Sequence, residues 1–153
     1  IDKRVNVDSK EIGVVMMNEN FLNQNPISLV NEDNAIQFFD EIFYDSNFSN
    51  RNFTGVSGTF TSIGSMYLNQ TQYNEDEIDR IDISYESIHN LYENLKLLTI
   101  PQIINSYPSL DPKRAATITS GLFLVINLLK KYEINQLKVS KSDILEGLIL
   151  KYF

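Results

Sequence analysis

The feature that most constrains this chain is a strand, a small-residue turn and a helix in immediate succession. Phe53, Thr54, Gly55 and Val56 form a short apolar run, and Ser57-Gly58-Thr59 follows as a tight turn. Ile63, Met66 and Tyr67 then recur at intervals of three and four, the spacing of one helix face. A second unit of the same kind closes the chain. Leu137–Val139 reads as a strand, and Ile144, Leu145, Leu148 and Ile149 as the inner side of a helix capped by Ser140 or Ser142. A strand that gives way directly to a helix, twice over, predicts an α/β layer structure with these two strands side by side.

The intervening residues read mostly as helices. Ile88, Leu91, Tyr92, Leu95 and Leu98 make a helical stripe starting at Ser84, and Pro101 opens a short helix that ends near Pro108. Asp111-Pro112 pairs a good N-cap with a good first helical residue. Ala115, Ile118, Leu122, Val125, Ile126 and Leu129 then form one long face, closed by Lys130 and Lys131 where cations suit a helix end. Asn69 to Asp82 is acidic and reads as exposed. In the N-terminal segment, Val5, Val7, Ile12, Val14, Val15 and Met16 predict one or two strands, with Asn18 to Asn20 as a turn and Ile27 to Val30 as a third strand. Ala35, Phe38, Phe39 and Ile42 predict a helix over 34–45, capped from 31–34. With 153 residues, 42% of them apolar, one core is expected, so 1–153 reads as a single domain.

Composition excludes several functions. The formal net charge is -7, which disfavours nucleic acid and anionic membrane as partners. It leaves phosphate ligands open, because backbone N–H groups hold phosphate without lysine. There is no cysteine, hence no disulfide or thiolate chemistry, and the single histidine, His89, argues against a His-based metal site. The longest apolar run, Gly121 to Leu129, spans about nine residues and is too short to cross a membrane. No signal peptide opens the chain, so a cytoplasmic location is expected.

Few residues offer chemistry. Ser57-Gly58-Thr59 is either a backbone cradle for phosphate at a helix N-terminus or an ordinary capped turn. Glu75 to Asp82 lacks the spacing of a calcium loop and reads as a solvated face. Glu146, beside Gly147, either supports a ligand loop or is simply exposed. Ser9, Lys10 and Glu11 read as a hairpin between strands, facing a ligand or not. No serine is paired with His89 as a nucleophile.

The stretch Tyr107-Pro108-Ser109-Leu110-Asp111-Pro112-Lys113-Arg114-Ala115 resembles the Pro-Gly-Leu-Asp-Pro-x-Arg-Ala signature of the exopolyphosphatase / guanosine pentaphosphate phosphohydrolase (Ppx/GppA) family. The helix with Gly121, then Leu137-Lys138-Val139-Ser140, then Leu145-Glu146-Gly147-Leu148 keep that family's order. Gly55 to Thr61 resembles its Gly-x-(Gly/Ser)-Gly-Thr-x-Thr turn. The resemblance covers about 53 to 67 and 107 to 150. It implies an actin-like ATPase domain, ribonuclease H-like in fold, of which this chain is the second lobe, a three-layer α/β/α unit. It further implies a parent enzyme that removes the terminal phosphate of polyphosphate or guanosine pentaphosphate with Mg2+. The active site then lies against a missing N-terminal lobe that carries the general base. On that basis no residue here is catalytic, and the isolated lobe is expected to be inactive. Ser57, Gly58 and Thr59 bind phosphate, Ser9, Glu11, Glu146 and Gly147 support the loops, and the metal ligands stay unassigned.

Two departures from the family pattern open a second reading. Asp8-Ser9-Lys10-Glu11 keeps the Ser-x-Glu of the family's Asp-x-Gly-Gly-Gly-Ser-x-Glu loop but none of its glycines, which let backbone approach phosphate closely. Leu145 stands where the family has arginine. A degenerate, non-catalytic actin-like-fold domain used for binding, or as a homodimer, is the alternative.

Overall fold

The computed structural model describes residues 8–45 and 52–142. The helix expected after Ser142, with Leu145, Glu146 and Gly147, lies outside them, as do Val5 and Val7. Among the described residues eleven elements follow one another: α1 (Val14–Asn20), α2 (Leu29–Ile42), β1 (Phe53–Val56), α3 (Gly58–Tyr67), α4 (Glu75–Ile78), β2 (Asp82–Ser84), α5 (Tyr85–Leu95), α6 (Ile100–Ser106), α7 (Pro112–Ala115), α8 (Ile118–Lys131) and β3 (Gln136–Ser140).

The strands form one sheet in the order β1-β3-β2. β1 and β3 run parallel, with Phe53 opposite Leu137 and Gly55 opposite Val139. The expected neighbouring strands are therefore neighbours. β2 adds to the other side of β3 antiparallel, and its Asp82 faces Lys138 across the pair, where the ammonium meets the carboxylate at 2.8 Å.

α8 is the centre of the molecule. Ile118, Leu122, Phe123, Val125, Ile126 and Leu129 are buried, and so are the small residues Thr119, Ser120 and Gly121 between them. A helix apolar on nearly every side has to be surrounded. α1, α2, α3, α5 and α7 all pack on it. Gly121 is where two of them come close. The space its Cβ would need is taken by Thr59 Cγ2 of α3, 2.6 Å away, and approached by Val14 Cγ2 of α1 at 3.7 Å. The apolar face read from Ala115 to Leu129 is broken once, because α7 ends at Ala115 and a turn intervenes before Ile118.

Several caps behave as their residue types dictate. Ser84 accepts from Ser87 N, and Asp111 accepts from Lys113 N at 2.9 Å, with Pro112 at the first helical position. Thr99 and Gln102 close a reciprocal box at the start of α6.

The N-terminal segment departs from expectation. Val14, Val15 and Met16 are helical, in α1, and Asn18 to Asn20 are part of that helix. A short apolar run does not distinguish strand from helix by periodicity. Here Met17 points into the core, while Val15 is 61% exposed. Ile27 to Val30 is not a strand either. Ser28 accepts from Asn31 N and starts α2 at Leu29, five residues earlier than expected. The stretch from Asn69 to Asp82 also holds more order than its polarity suggests, since α4 buries Ile78 against Gly64 and β2 starts at Asp82.

Candidate functional site

The turn before α3 is a single residue, not three. Ser57 is the N-cap, and Gly58 and Thr59 already belong to the helix. Ser57 takes φ 108° and ψ 168°, a region open almost exclusively to glycine. The strain there is of order 1–3 kcal/mol. The Ser57 side chain makes no capping hydrogen bond, although serine is among the best caps. Hence the first N–H groups of α3, which no helix can satisfy internally, are not closed off by their own cap residue. They sit at the positive end of the helix dipole.

Gly58 is needed for a reason unrelated to turning. Its φ is not positive. A Cβ placed on it would collide with the guanidinium of Arg114, which lies directly over it. Arg114 Nη1 also donates weakly to Ser62 Oγ at 3.5 Å, and Ser62 Oγ in turn donates to Gly58 O at 2.7 Å. α7 therefore brings a cation to the open end of α3, and Asp111, which caps α7, fixes where that short helix starts. Arg114 is the site residue that sequence reasoning passed over. Its signal was present: it is the arginine of the Asp-Pro-Lys-Arg-Ala stretch.

The remaining expected residues are distributed as follows. Thr59 is half-buried, and its methyl group is committed to Gly121. Ser9 and Glu11 are in an irregular segment, 8–13, that runs into α1 and is not a hairpin. Asp8 and Lys10 pair at 3.2 Å and border an apolar cavity with Phe53, Leu124, Leu128 and Ile134, away from Arg114. Glu146 and Gly147 lie outside the described residues. Beside Arg114 a groove of about 590 Å3 opens, lined also by Thr61, Ser62, Tyr73, Ser109 and Asp111.

The arrangement suits an anion: a helix N-terminus that its cap side chain does not close and the guanidinium over Gly58 meet beside exposed Ser57. Among the described residues no three carboxylates or histidines gather within reach of one ion. Nor is any described helix long and apolar enough to cross a membrane.

An α/β domain in which the edge strand β1 passes through the single residue Ser57 into α3 is the class this geometry defines. Comparison with known proteins gives the particular architecture, that of the Ppx/GppA phosphatases. The "Structural Study of the Aquifex aeolicus PPX-GPPA enzyme" matches with a TM-score of 0.89 at 20% identity, over 95% of this chain and 49% of that one. An exopolyphosphatase from Cytophaga hutchinsonii matches with a TM-score of 0.80 at 19% identity, over 94% of this chain and 48% of that one. In sequence, the chain is 27% identical over 157 aligned positions to a bifunctional 3-dehydroquinate synthase/phosphatase of Fusobacterium nucleatum, covering 99% of this chain and 23% of that protein. No protein-family model matches. The chain thus has structural and weak sequence similarity to the Ppx/GppA phosphatases. It spans about half the length of the solved structures and under a quarter of the curated relative.

Proposed function

We propose that this chain is the second lobe of a phosphoanhydride hydrolase that acts on the terminal phosphate of polyphosphate or guanosine pentaphosphate. The observation that carries this reading is the Arg114 guanidinium lying over Gly58, at a helix start whose cap leaves its donors open. The similarity to phosphatases supports it.

In this reading the terminal phosphoryl oxygens meet the N–H groups at the start of α3, and Arg114 balances their charge. Phosphoryl transfer needs little covalent help from protein. It needs positioning and fixed positive groups where charge gathers on the equatorial oxygens. The Ser57–Arg114 corner provides both without reorganising. The base that activates water belongs to the lobe before this chain. Magnesium is implied by the resemblance; among the described residues no three carboxylates or histidines gather to hold it.

The test is release of inorganic phosphate from polyphosphate and from guanosine pentaphosphate by the full-length protein, with and without magnesium. Arg114→Ala is expected to slow release on the order of 100-fold, the usual effect of losing one preorganised charge-stabilising donor. No release from either substrate by the wild type would overturn the hydrolase reading and leave a binding domain.

A further inference from the structure

We propose that Asn18 of α1 is a positioning residue for Arg114: its side-chain amide clamps the turn between α7 and α8 and so holds the guanidinium over Gly58. This rests on the reading of Arg114 as the charge partner of a bound phosphate.

α7 cannot fix Arg114 by itself. It is 4 residues long, and a helix of one turn has little stability of its own. Its backbone bonds are local. Lys113 N donates to Asp111 Oδ1, Arg114 N to Asp111 O, and Thr117 N to Arg114 O. Such bonds shape the turn without placing it against α3. The Arg114 side chain reaches Ser62 Oγ only at 3.5 Å, too long to anchor it. Yet a group that must meet a ligand in one geometry has to be held to within about 0.5 Å by its supports.

Asn18 supplies a support from another element. Three oxygens face one end of its amide: Ala116 O at 2.8 Å, Leu22 O at 3.1 Å and Ser120 Oγ at 3.1 Å. Two of them are carbonyl acceptors, so that end is the nitrogen. Ala116 is the residue that closes α7, directly after its last turn with Lys113 and Arg114. Leu22 is buried just past the end of α1. The half-buried amide therefore ties the end of α1 to the junction of α7 and α8. α1 is a firm base for this, because Met17 is fully buried and Val14 meets the α8 backbone at Gly121. Asn20 shows the contrast on the same helix. Its amide donates to Met16 O within α1 and stays exposed.

The experiment titrates the full-length protein with inorganic tripolyphosphate, EDTA present to stop turnover, in a double-mutant cycle. Arg114→Ala should weaken binding about tenfold, the size of one charge-assisted hydrogen bond. Asn18→Ala should weaken it about threefold, and should have no effect once Arg114 is alanine. Asn18→Leu, which keeps the side-chain volume and removes the donor, should behave the same way. In the ligand-free protein both Asn18 variants should move the Arg114 side-chain Nε–H signal and leave the amides of α5 in place. Equal weakening in both backgrounds, or no weakening by either variant, would overturn the proposal. Loss of the folded amide spectrum in both variants would overturn it too, since Asn18 would then support the whole fold. If Arg114→Ala leaves tripolyphosphate binding unchanged, the phosphate reading is what fails. The Nε–H signal of the ligand-free protein then decides the clamp by itself, and an unmoved signal overturns it.

Discussion

Two regions of this molecule treat polar groups in opposite ways. At the seam between α2 and α5, each buried polar group described has a partner. The Tyr92 hydroxyl donates to Glu32 Oε1 at 2.7 Å, and Lys96 Nζ donates to both Glu32 oxygens at 3.1 Å. The same ammonium pairs with Glu93 at 2.9 Å and lies 5.3 Å from the centre of the Tyr92 ring. At the turn before α3, the cap residue caps nothing, its backbone is strained, and the cation beside it is exposed. The first region holds two helices together. The second keeps donors and charge available, at some cost in stability. Stability and binding should therefore separate cleanly under mutation.

The largest effect on stability is expected at the seam. Glu32→Ala strands the buried Tyr92 hydroxyl and removes one partner of Lys96. Urea unfolding should show a loss of about 2 kcal/mol, the cost of leaving a buried polar group unpaired next to a broken charge pair. Affinity for phosphate ligands should not change. A loss of affinity as large as the loss of stability would show that the two regions are coupled and break the comparison.

The same seam sets an alkaline limit. Burial first, then the hydrogen bond and charge of Glu32, push the Tyr92 phenol far above its ordinary 10.0. Burial pulls Lys96 down, but its bonds to Glu93 and Glu32 outweigh this and raise it above 10.5. Both groups keep their protons longer in the fold than in the unfolded chain. Their contribution is complete below about pH 10 and falls as pH rises past the unfolded values. Denaturant midpoints measured from pH 8 to 11 should drop at the top of this range, and the drop should be shallower in Tyr92→Phe.

Smaller, and opposite in sign, is Ser57→Gly. Glycine adopts φ 108° without strain, so the fold should gain about 1 kcal/mol after the extra entropy of the unfolded chain is subtracted. A destabilised variant would mean that the Ser57 side chain contributes more than the strain costs.

The sequence made the site's frame more legible than the site's working parts. β1, a helix directly after it, the helix starting at Ser84, the Asp111 cap and the β1–β3 neighbourhood were all readable, because strand–turn–helix order and capping chemistry are local signals. Arg114 was not singled out, because its proximity to Gly58 depends on α7 folding back on α3, roughly fifty residues away in sequence. Ser57 carries the strained backbone, at φ 108°, where nothing in the residue type announces it. The family pattern, which alternates glycine and serine at that position, was the hint. α1 was misread because Val14 and Val15 are strand formers whose helical state is set by packing on α8. β2, only three residues long with Ile83 as its one apolar residue, has no periodicity to read.

The central claim is that phosphate binds at the open start of α3, under Arg114. Amide chemical shifts followed during titration of the 15N-labelled protein with inorganic tripolyphosphate address it residue by residue. The N–H signals of Gly58, Thr59 and Phe60 should move first and furthest, together with the Arg114 side-chain Nε–H, while those around Glu32 and Lys96 stay still. Shifts that gather elsewhere, with Gly58 and Thr59 unmoved at saturation, would contradict the account.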